Sequence, residues 1–181
     1  GNGVITLNVL EADDSARAAM QSEMREPYRT LLGHFRHESG HYYWSLISRD
    51  AEISHVFTEL FGDPNKDYVS SLECYYETGP PSDWHSGYIS AYATAHPLED
   101  WAETWGHYLH MLDALETAHA HRLLEKDGTT MNMSERIAAW QQVSVMLNEM
   151  NRSVGGSDAY PFTISAEIAR KRELVDGTID C

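Results

Sequence analysis

The sequence predicts a mainly α fold of the α+β class, with several helices and one or a few short strands. Apolar residues recur at helical spacing in several long segments. Only residues 4–10 form the β-branched, apolar run that is typical of a strand. A chain of 181 residues is long enough for one hydrophobic core, so we expect a single domain over residues 1–181.

Capping residues, turn residues and periodicity predict the elements in chain order. After the strand at residues 4–10, a helix is expected from Asp14. Pro27 suits the first turn of a helix, and residues 28–48 contain no further proline, which predicts one long helix. The same criteria predict helices over residues 51–61, 66–76, 97–124, 134–151 and 165–175. Residues 154–181 are expected to form a C-terminal helical extension after a glycine-containing loop.

Charge and cysteine content exclude some classes of partner. The formal net charge of −15, from 28 acidic and 13 basic residues, argues against binding to a nucleic acid backbone. No apolar run is long enough to predict a membrane span. Cys74 and Cys181 form neither a disulfide framework nor a zinc motif, so a cytoplasmic location is expected. The chain begins at Gly1 rather than Met, which suggests that the natural start is missing.

The segment His37-Glu38-Ser39-Gly40-His41 carries the strongest functional signal. On a helix, His37 and His41 lie one turn apart on the same face, with Glu38 beside them. This is the His-Glu-x-x-His arrangement of zinc peptidases. The alternative is a buried helix whose histidines are hydrogen-bonded core residues, but the full pattern on a predicted helix favours a metal site.

A catalytic zinc site needs a third protein ligand and an open position for water. Pro97 can open a helix, and Glu99 and Glu103 then share one of its faces. We expect Glu99 to bind the metal and Glu103 to accept the N–H of a ligating histidine. A solvated acidic face is the alternative, although the neighbouring Trp101 and Trp105 argue against full exposure.

Together these residues resemble a known family. His37-Glu38-Ser39-Gly40-His41, with Tyr92 seven positions before Glu99 and then Glu103, is similar to the gluzincins, and among them to the domains related to the lethal-factor protease of anthrax toxin. Residues 26–38 and 96–105 also resemble a bacterial family of zinc-binding metallopeptidases, and this resemblance extends over about residues 3–122. Members of that family usually carry a zinc-ribbon segment ahead of the catalytic domain. No Cys-x-x-Cys occurs here, so such an N-terminal segment is expected to be missing from this chain.

The resemblance implies a zincin-like catalytic domain with an active-site helix and a peptide or protein substrate. One zinc ion per chain would be held by His37, His41 and Glu99. Glu38 would act as the general base towards zinc-bound water, and the phenol of Tyr92 would donate to the oxyanion. His96 competes with Tyr92, as a ligand or as a donor, although its position before Pro97 predicts a loop residue.

Two other function classes stay open on the sequence. The Glu-x-x-His motif of di-iron carboxylate helical proteins occurs three times, at Glu38/His41, Glu52/His55 and Glu116/His119. In that interpretation His37 would have no role in binding metal. A non-catalytic binding module that holds zinc is the second alternative, but a closed structural site has no use for the neighbouring Glu38.

Overall fold

The computed structural model describes residues 4–6, 13 and 30–179. Across residues 30–179 the chain forms six α-helices. They are α1 (Leu31–Ile47), α2 (Ala51–Phe61), α3 (Tyr68–Thr78), α4 (Pro97–Ala120), α5 (Met133–Ser153) and α6 (Ala166–Ile179). Short 3-10 helices precede and follow α4, at Trp84–Ser86, Tyr92–Thr94 and Gly128–Thr130. The prediction of a mainly helical fold is therefore confirmed for this part of the chain.

Helix α1 begins later than the sequence predicted. Thr30 has extended backbone angles, with φ −116° and ψ 153°, and its side chain accepts a hydrogen bond from the N–H of Gly33 at 2.9 Å. A threonine in this conformation is an N-terminal cap, so α1 begins at the next residue. The prediction of a helix that starts at Pro27 or residue 28 is therefore wrong, because Thr30 interrupts it.

The predicted strand finds no support in the described residues. Residues 4–6 carry no regular structure, while residues 7–10 and the helix expected from Asp14 lie outside the described residues. A strand needs the backbone of a second strand to satisfy its hydrogen bonds. Residues 30–179 contain no strand that could supply this partner.

An aromatic core forms where α1 and α2 meet α4. The Trp44 ring stacks on Phe57 with ring centroids 3.9 Å apart, and Trp101 packs against both rings. Phe57 and Trp101 are completely buried. Large buried aromatic side chains contribute a major part of core stability, so this cluster fixes the relative position of the three helices.

Helices α1 and α4 approach closely at Gly40. A Cβ atom at Gly40 would lie 3.1 Å from the Cα of Ala102 and from the Cβ of Trp105. Hydrogen bonds reinforce the approach, because the indole of Trp101 donates to the carbonyl oxygen of Gly40 at 2.9 Å and the indole of Trp105 donates to Ser39 Oγ at 3.0 Å. The close contact places His37 and His41 opposite the first turns of α4.

Helix α6 holds α4 through a buried ion pair. Lys171 Nζ donates to Asp100 Oδ2 at 2.6 Å and to the carbonyl oxygen of Gly87 at 2.7 Å. Ile168 and Val175, on the same helix, are completely buried. Helix α6 therefore contributes to the core that supports α4. None of the helices in the described residues combines the length and the apolar character needed to cross a membrane.

Candidate metal centre

Helix α1 places two imidazoles next to each other. The rings of His37 and His41 are perpendicular neighbours with centroids 4.9 Å apart, and their Nε2 atoms are separated by 3.1 Å. Across from them, α4 begins at Pro97 and carries Glu99 in its first turn. Glu99 is 1% exposed, so the protein removes this carboxylate from water although it is acidic.

The distances between the three side chains fit one metal ion. Glu99 Oε2 lies 3.2 Å from His37 Nε2, and Glu99 Oε1 lies 3.3 Å from His41 Nε2. Nitrogen and oxygen ligands about 2.0–2.2 Å from a tetrahedral zinc ion lie about 3.3 Å from each other. In the described residues, these three side chains form the single group of three or more His, Cys, Asp or Glu residues that could hold a metal ion.

The hydrogen bond at the other side of the His37 ring determines which ring nitrogen can bind a metal ion. His37 Nδ1 lies 2.7 Å from Glu103 Oε1. Because an ionised carboxylate only accepts, the ring proton sits on Nδ1, and a neutral His37 then presents the lone pair of Nε2 to Glu99. Two acceptors at this distance require a cation between them, either a proton or a metal ion. The donor set therefore fits a divalent ion such as zinc.

The acidic surroundings favour positive charge at this position. Burial alone would lower the pKa of His37, but its hydrogen bonds to Glu103 and Glu99 and their negative charges outweigh burial and raise this pKa to about 10. Burial alone would raise the pKa of Glu99, but hydrogen bonds from His37 and His41 lower it well below its usual value. The same field that stabilises a proton here stabilises a metal ion.

Glu103 has a partner for each of its oxygen atoms. Oε1 faces His37, and Oε2 accepts a hydrogen bond from Ser90 Oγ at 2.5 Å. Burial opposes ionisation, but the hydrogen bonds from His37 and Ser90 and the charges of His37 and His107 together outweigh it and lower the pKa of Glu103 to about 2. Ser90 itself is buried and accepts the N–H of Ala93 at 3.2 Å. The carboxylate is thus ionised and held in one orientation towards the His37 ring.

Glu38 is half-buried and lies at the edge of the cavity next to the two histidines. Its Oε1 is 3.2 Å from His34 Nε2. The hydrogen bond from His34 is the main reason that the pKa of Glu38 is lower than usual. Glu38 is therefore an ionised acceptor at neutral pH, beside the position where the three ligand atoms converge.

The two remaining candidates differ in their surroundings. Tyr92 lies in a 3-10 helix at the cavity wall, and its ring centroid is 6.0 Å from that of His37. His96 is the N-terminal cap of α4 rather than a loop residue. Its Nδ1 accepts the N–H of Leu98 at 3.1 Å, and its Nε2 lies 3.1 Å from the carbonyl oxygen of Lys66. With both nitrogens bonded inside the protein, His96 is not placed to bind a metal ion.

Sequence reasoning assigned no role at the site to Tyr68, Ser90 or His34. Tyr68 donates its hydroxyl to Glu99 Oε1 at 2.8 Å. Burial and the charge of Glu99 raise the pKa of Tyr68, so the hydroxyl keeps its proton. Only the spacing of His34 and Glu38, one turn apart on a predicted helix, could have indicated a contact in advance. Tyr68 and Ser90 lie on other segments of the chain, and no sequence spacing relates them to the histidines of the site.

These side chains line a cavity of about 580 Å³. Its walls include the three candidate ligands, Glu38, Glu103, Tyr68 and Tyr92, and it continues past His107 and His110 to Phe162. Cavities of this size with a few convergent polar groups are typical of ligand-binding sites.

The second and third Glu-x-x-His motifs do not join this site. The side chain of His55 is 74% exposed and pairs only with Glu59 on its own helix, among the described residues. His119 Nδ1 lies 3.2 Å from the carbonyl oxygen of Leu124. Because no second group of candidate ligands occurs in the described part of the chain, the geometry offers no place for a second iron.

Comparisons with known proteins agree with this geometry. A family model described as "Putative zinc-binding metallo-peptidase" matches residues 1–178. Proteins of Mycobacterium bovis and Mycobacterium tuberculosis, both named as uncharacterized, are 45% identical over 187 residues, which cover 99% of this chain and 55% of theirs. The chain thus spans about half the length of these relatives. No solved structure matches it. Since the family model covers almost the whole chain, the protein belongs to this zinc-binding metallopeptidase family.

Proposed function

We propose that this protein is a zinc-dependent peptidase of the gluzincin type, similar in its site to the lethal-factor protease domain. It would bind one zinc ion per chain and hydrolyse peptide bonds in a peptide or protein substrate. The observation that carries the proposal is the convergence of His37, His41 and Glu99 beside the ionised Glu38. A bound zinc ion lowers the pKa of water from 15.7 towards about 7 and polarises a carbonyl group.

Each ligand would bind the metal ion through a particular atom. His37 and His41 would bind with Nε2, the atoms that face Glu99, and Glu99 would bind with its carboxylate. Glu103 keeps the proton of His37 on Nδ1, so that Nε2 offers its lone pair in one fixed direction. Ser90 holds the other oxygen of Glu103 and prevents this carboxylate from turning away.

Glu38 moves the protons of the reaction. Its carboxylate accepts a proton from the attacking water and later delivers it to the leaving amine, so that the two product ends carry the atoms of one water molecule. The contact with His34 directs one oxygen of Glu38 and supports the ionised form that a base requires.

Tyr92 is the proposed donor to the oxyanion. Its ring lies at the cavity wall with its centroid 6.0 Å from that of His37, which supports a role for the phenol at the metal centre. Hydrogen-bond donors of this kind contribute about 3 kcal/mol to transition-state stabilisation. The role also follows the spacing between Tyr92 and Glu99 on which the family resemblance depends.

Digestion of a peptide library tests the function directly. The purified protein, loaded with one equivalent of zinc, is incubated with the library, and new termini are identified by mass spectrometry. We expect cleavage that a chelator abolishes and added zinc restores. Stoichiometric zinc without cleavage would favour the non-catalytic binding module, and two irons per chain would favour the di-iron protein.

A further inference from the structure

The hydroxyl of Tyr68 makes the two oxygens of Glu99 different from each other. Oε1 accepts the Tyr68 hydroxyl at 2.8 Å and also lies 3.3 Å from His41 Nε2, whereas Oε2 lies 3.2 Å from His37 Nε2. A short hydrogen bond to a carboxylate oxygen occupies one of its lone pairs and draws on its negative charge. Oε1 is therefore the poorer donor to a metal ion, and Oε2 is the better one.

Tyr68 is held in place by its own helix and by a neighbour. It is the first residue of α3, and Asp67 caps this helix by accepting the N–H of Ser70 at 2.8 Å. The Tyr68 ring lies edge-on to His96, with centroids 5.1 Å apart. Because His96 caps α4, which carries Glu99, the donor and the acceptor are fixed to each other through the starts of their two helices.

We propose that Tyr68 is a positioning residue that makes Glu99 bind the metal ion through one oxygen and so keeps a coordination position open for water. A carboxylate with two equal oxygens can bind one ion with both, which would fill the position that the attacking water needs. The Tyr68 hydroxyl removes this option by engaging Oε1. The inference rests on the metal centre of the proposed function and does not depend on peptide hydrolysis.

The test replaces zinc with cobalt(II), whose visible spectrum reports coordination number. Tyr68→Phe removes the hydroxyl and keeps the ring. We expect the variant to retain cobalt but to lose the intense visible bands of a four-coordinate ion. We also expect azide, an anion that takes the open position, to bind about tenfold more weakly than in the wild type, because Oε1 now competes for that position.

Tyr76→Phe is the matched control. Tyr76 lies on the same helix and is 53% exposed. This variant should keep both the cobalt spectrum and the azide affinity of the wild type. A crystal structure or X-ray absorption measurement of the wild-type zinc protein provides an independent count of Glu99 oxygens, even where the Tyr68 variant does not fold. One bound oxygen supports the proposal, and two contradict it.

Other outcomes separate this inference from the proposed function. If Tyr68→Phe loses cobalt affinity while its spectrum stays unchanged, Tyr68 only supports Glu99 and the proposal is wrong. An unchanged spectrum and azide affinity with reduced peptide cleavage would place Tyr68 on the substrate and also overturn it. If the spectrum changes as expected while the wild type cleaves no peptide, the inference holds and the peptidase function fails.

Discussion

Glu99 and Asp100 are consecutive buried acids on α4, but they serve two different regions of the molecule. Glu99 faces the cavity, where His37, His41 and Tyr68 surround it. Asp100 faces the core, where Lys171 supplies a cation from the chain itself. On the cavity side, a proton or a metal ion taken up from solution supplies the positive charge between His37 and Glu99. A buried carboxylate with a built-in cation supports the fold, whereas one without it is available to a metal ion.

The pKa values of the two acids shift in opposite directions. Burial raises the pKa of Asp100 to about 7, even though Lys171 opposes the shift. Burial also opposes ionisation of Glu99, but the hydrogen bonds from His37 and His41 and their positive charges outweigh it and lower the pKa of Glu99. The comparison predicts that function and stability can be lost separately on the two sides of α4.

The largest effect is expected from Glu38→Gln on the cavity side. The variant keeps all three ligands but lacks the base, so kcat should fall by about 10²- to 10⁴-fold while zinc content and thermal stability stay unchanged. Peptide cleavage assays and elemental analysis measure the two properties. Glu52→Gln, an exposed glutamate in another Glu-x-x-His motif, should be fully active. Wild-type activity in Glu38→Gln would remove the base assignment.

On the core side, Lys171→Met should destabilise the protein without removing the metal site. Loss of one partner from a buried ion pair costs up to about 3–5 kcal/mol, and uptake of a proton by Asp100, whose pKa is already about 7, limits the loss here. Chemical denaturation gives the free energy of unfolding. Lys126→Met breaks an exposed pair with Glu135 and should have a much smaller effect. A loss of zinc affinity equal to the loss of stability would show that the two sides of α4 are not separate.

Substitution of the proposed ligand Glu99 and of its supporting residue Glu103 should lower the zinc affinity of the protein by different amounts. Glu99→Ala removes a proposed ligand, whereas Glu103→Ala removes only the acceptor for His37 Nδ1–H, a change that costs about 10- to 100-fold in metal affinity. We therefore expect the larger loss from Glu99→Ala, measured by competition with a chromogenic chelator. The reverse order would exchange the two roles.

The smallest effect concerns pH and the buried His107. Burial is the main cause of its low pKa, which lies at about 3 against an ordinary value of about 6.5. Between about pH 6.5 and pH 3, His107 therefore binds a proton in the unfolded protein but not in the folded protein. The stability that is present above pH 6.5 is lost as the pH falls towards 3. At pH 5 this amounts to about 2 kcal/mol.

His107→Gln tests this pH dependence by denaturation at pH 7 and pH 5. The variant should lose less stability than the wild type between the two pH values. His55→Gln, at an exposed position, should retain the wild-type difference. An unchanged pH dependence in His107→Gln would assign the effect to other groups.

Much of the helical structure was predictable because helices are encoded locally. The helix at Ala51–Phe61 matches its prediction, and α4 begins at Pro97 as expected but ends at Ala120, four residues before the predicted end. The main error at the site helix came from Thr30, whose capping role depends on its backbone conformation. The predicted strand at residues 4–10 has no partner strand within residues 30–179.

The sequence alone determined which residues share a helix face, because a period of 3.6 residues places His37 with His41 and Glu99 with Glu103. Only the tertiary structure decided that these two faces meet, that Tyr68 and Ser90 reach the same carboxylates, and that Asp100 turns to Lys171 instead. Spacing along one helix follows from backbone geometry, whereas contacts between helices depend on how the whole core packs.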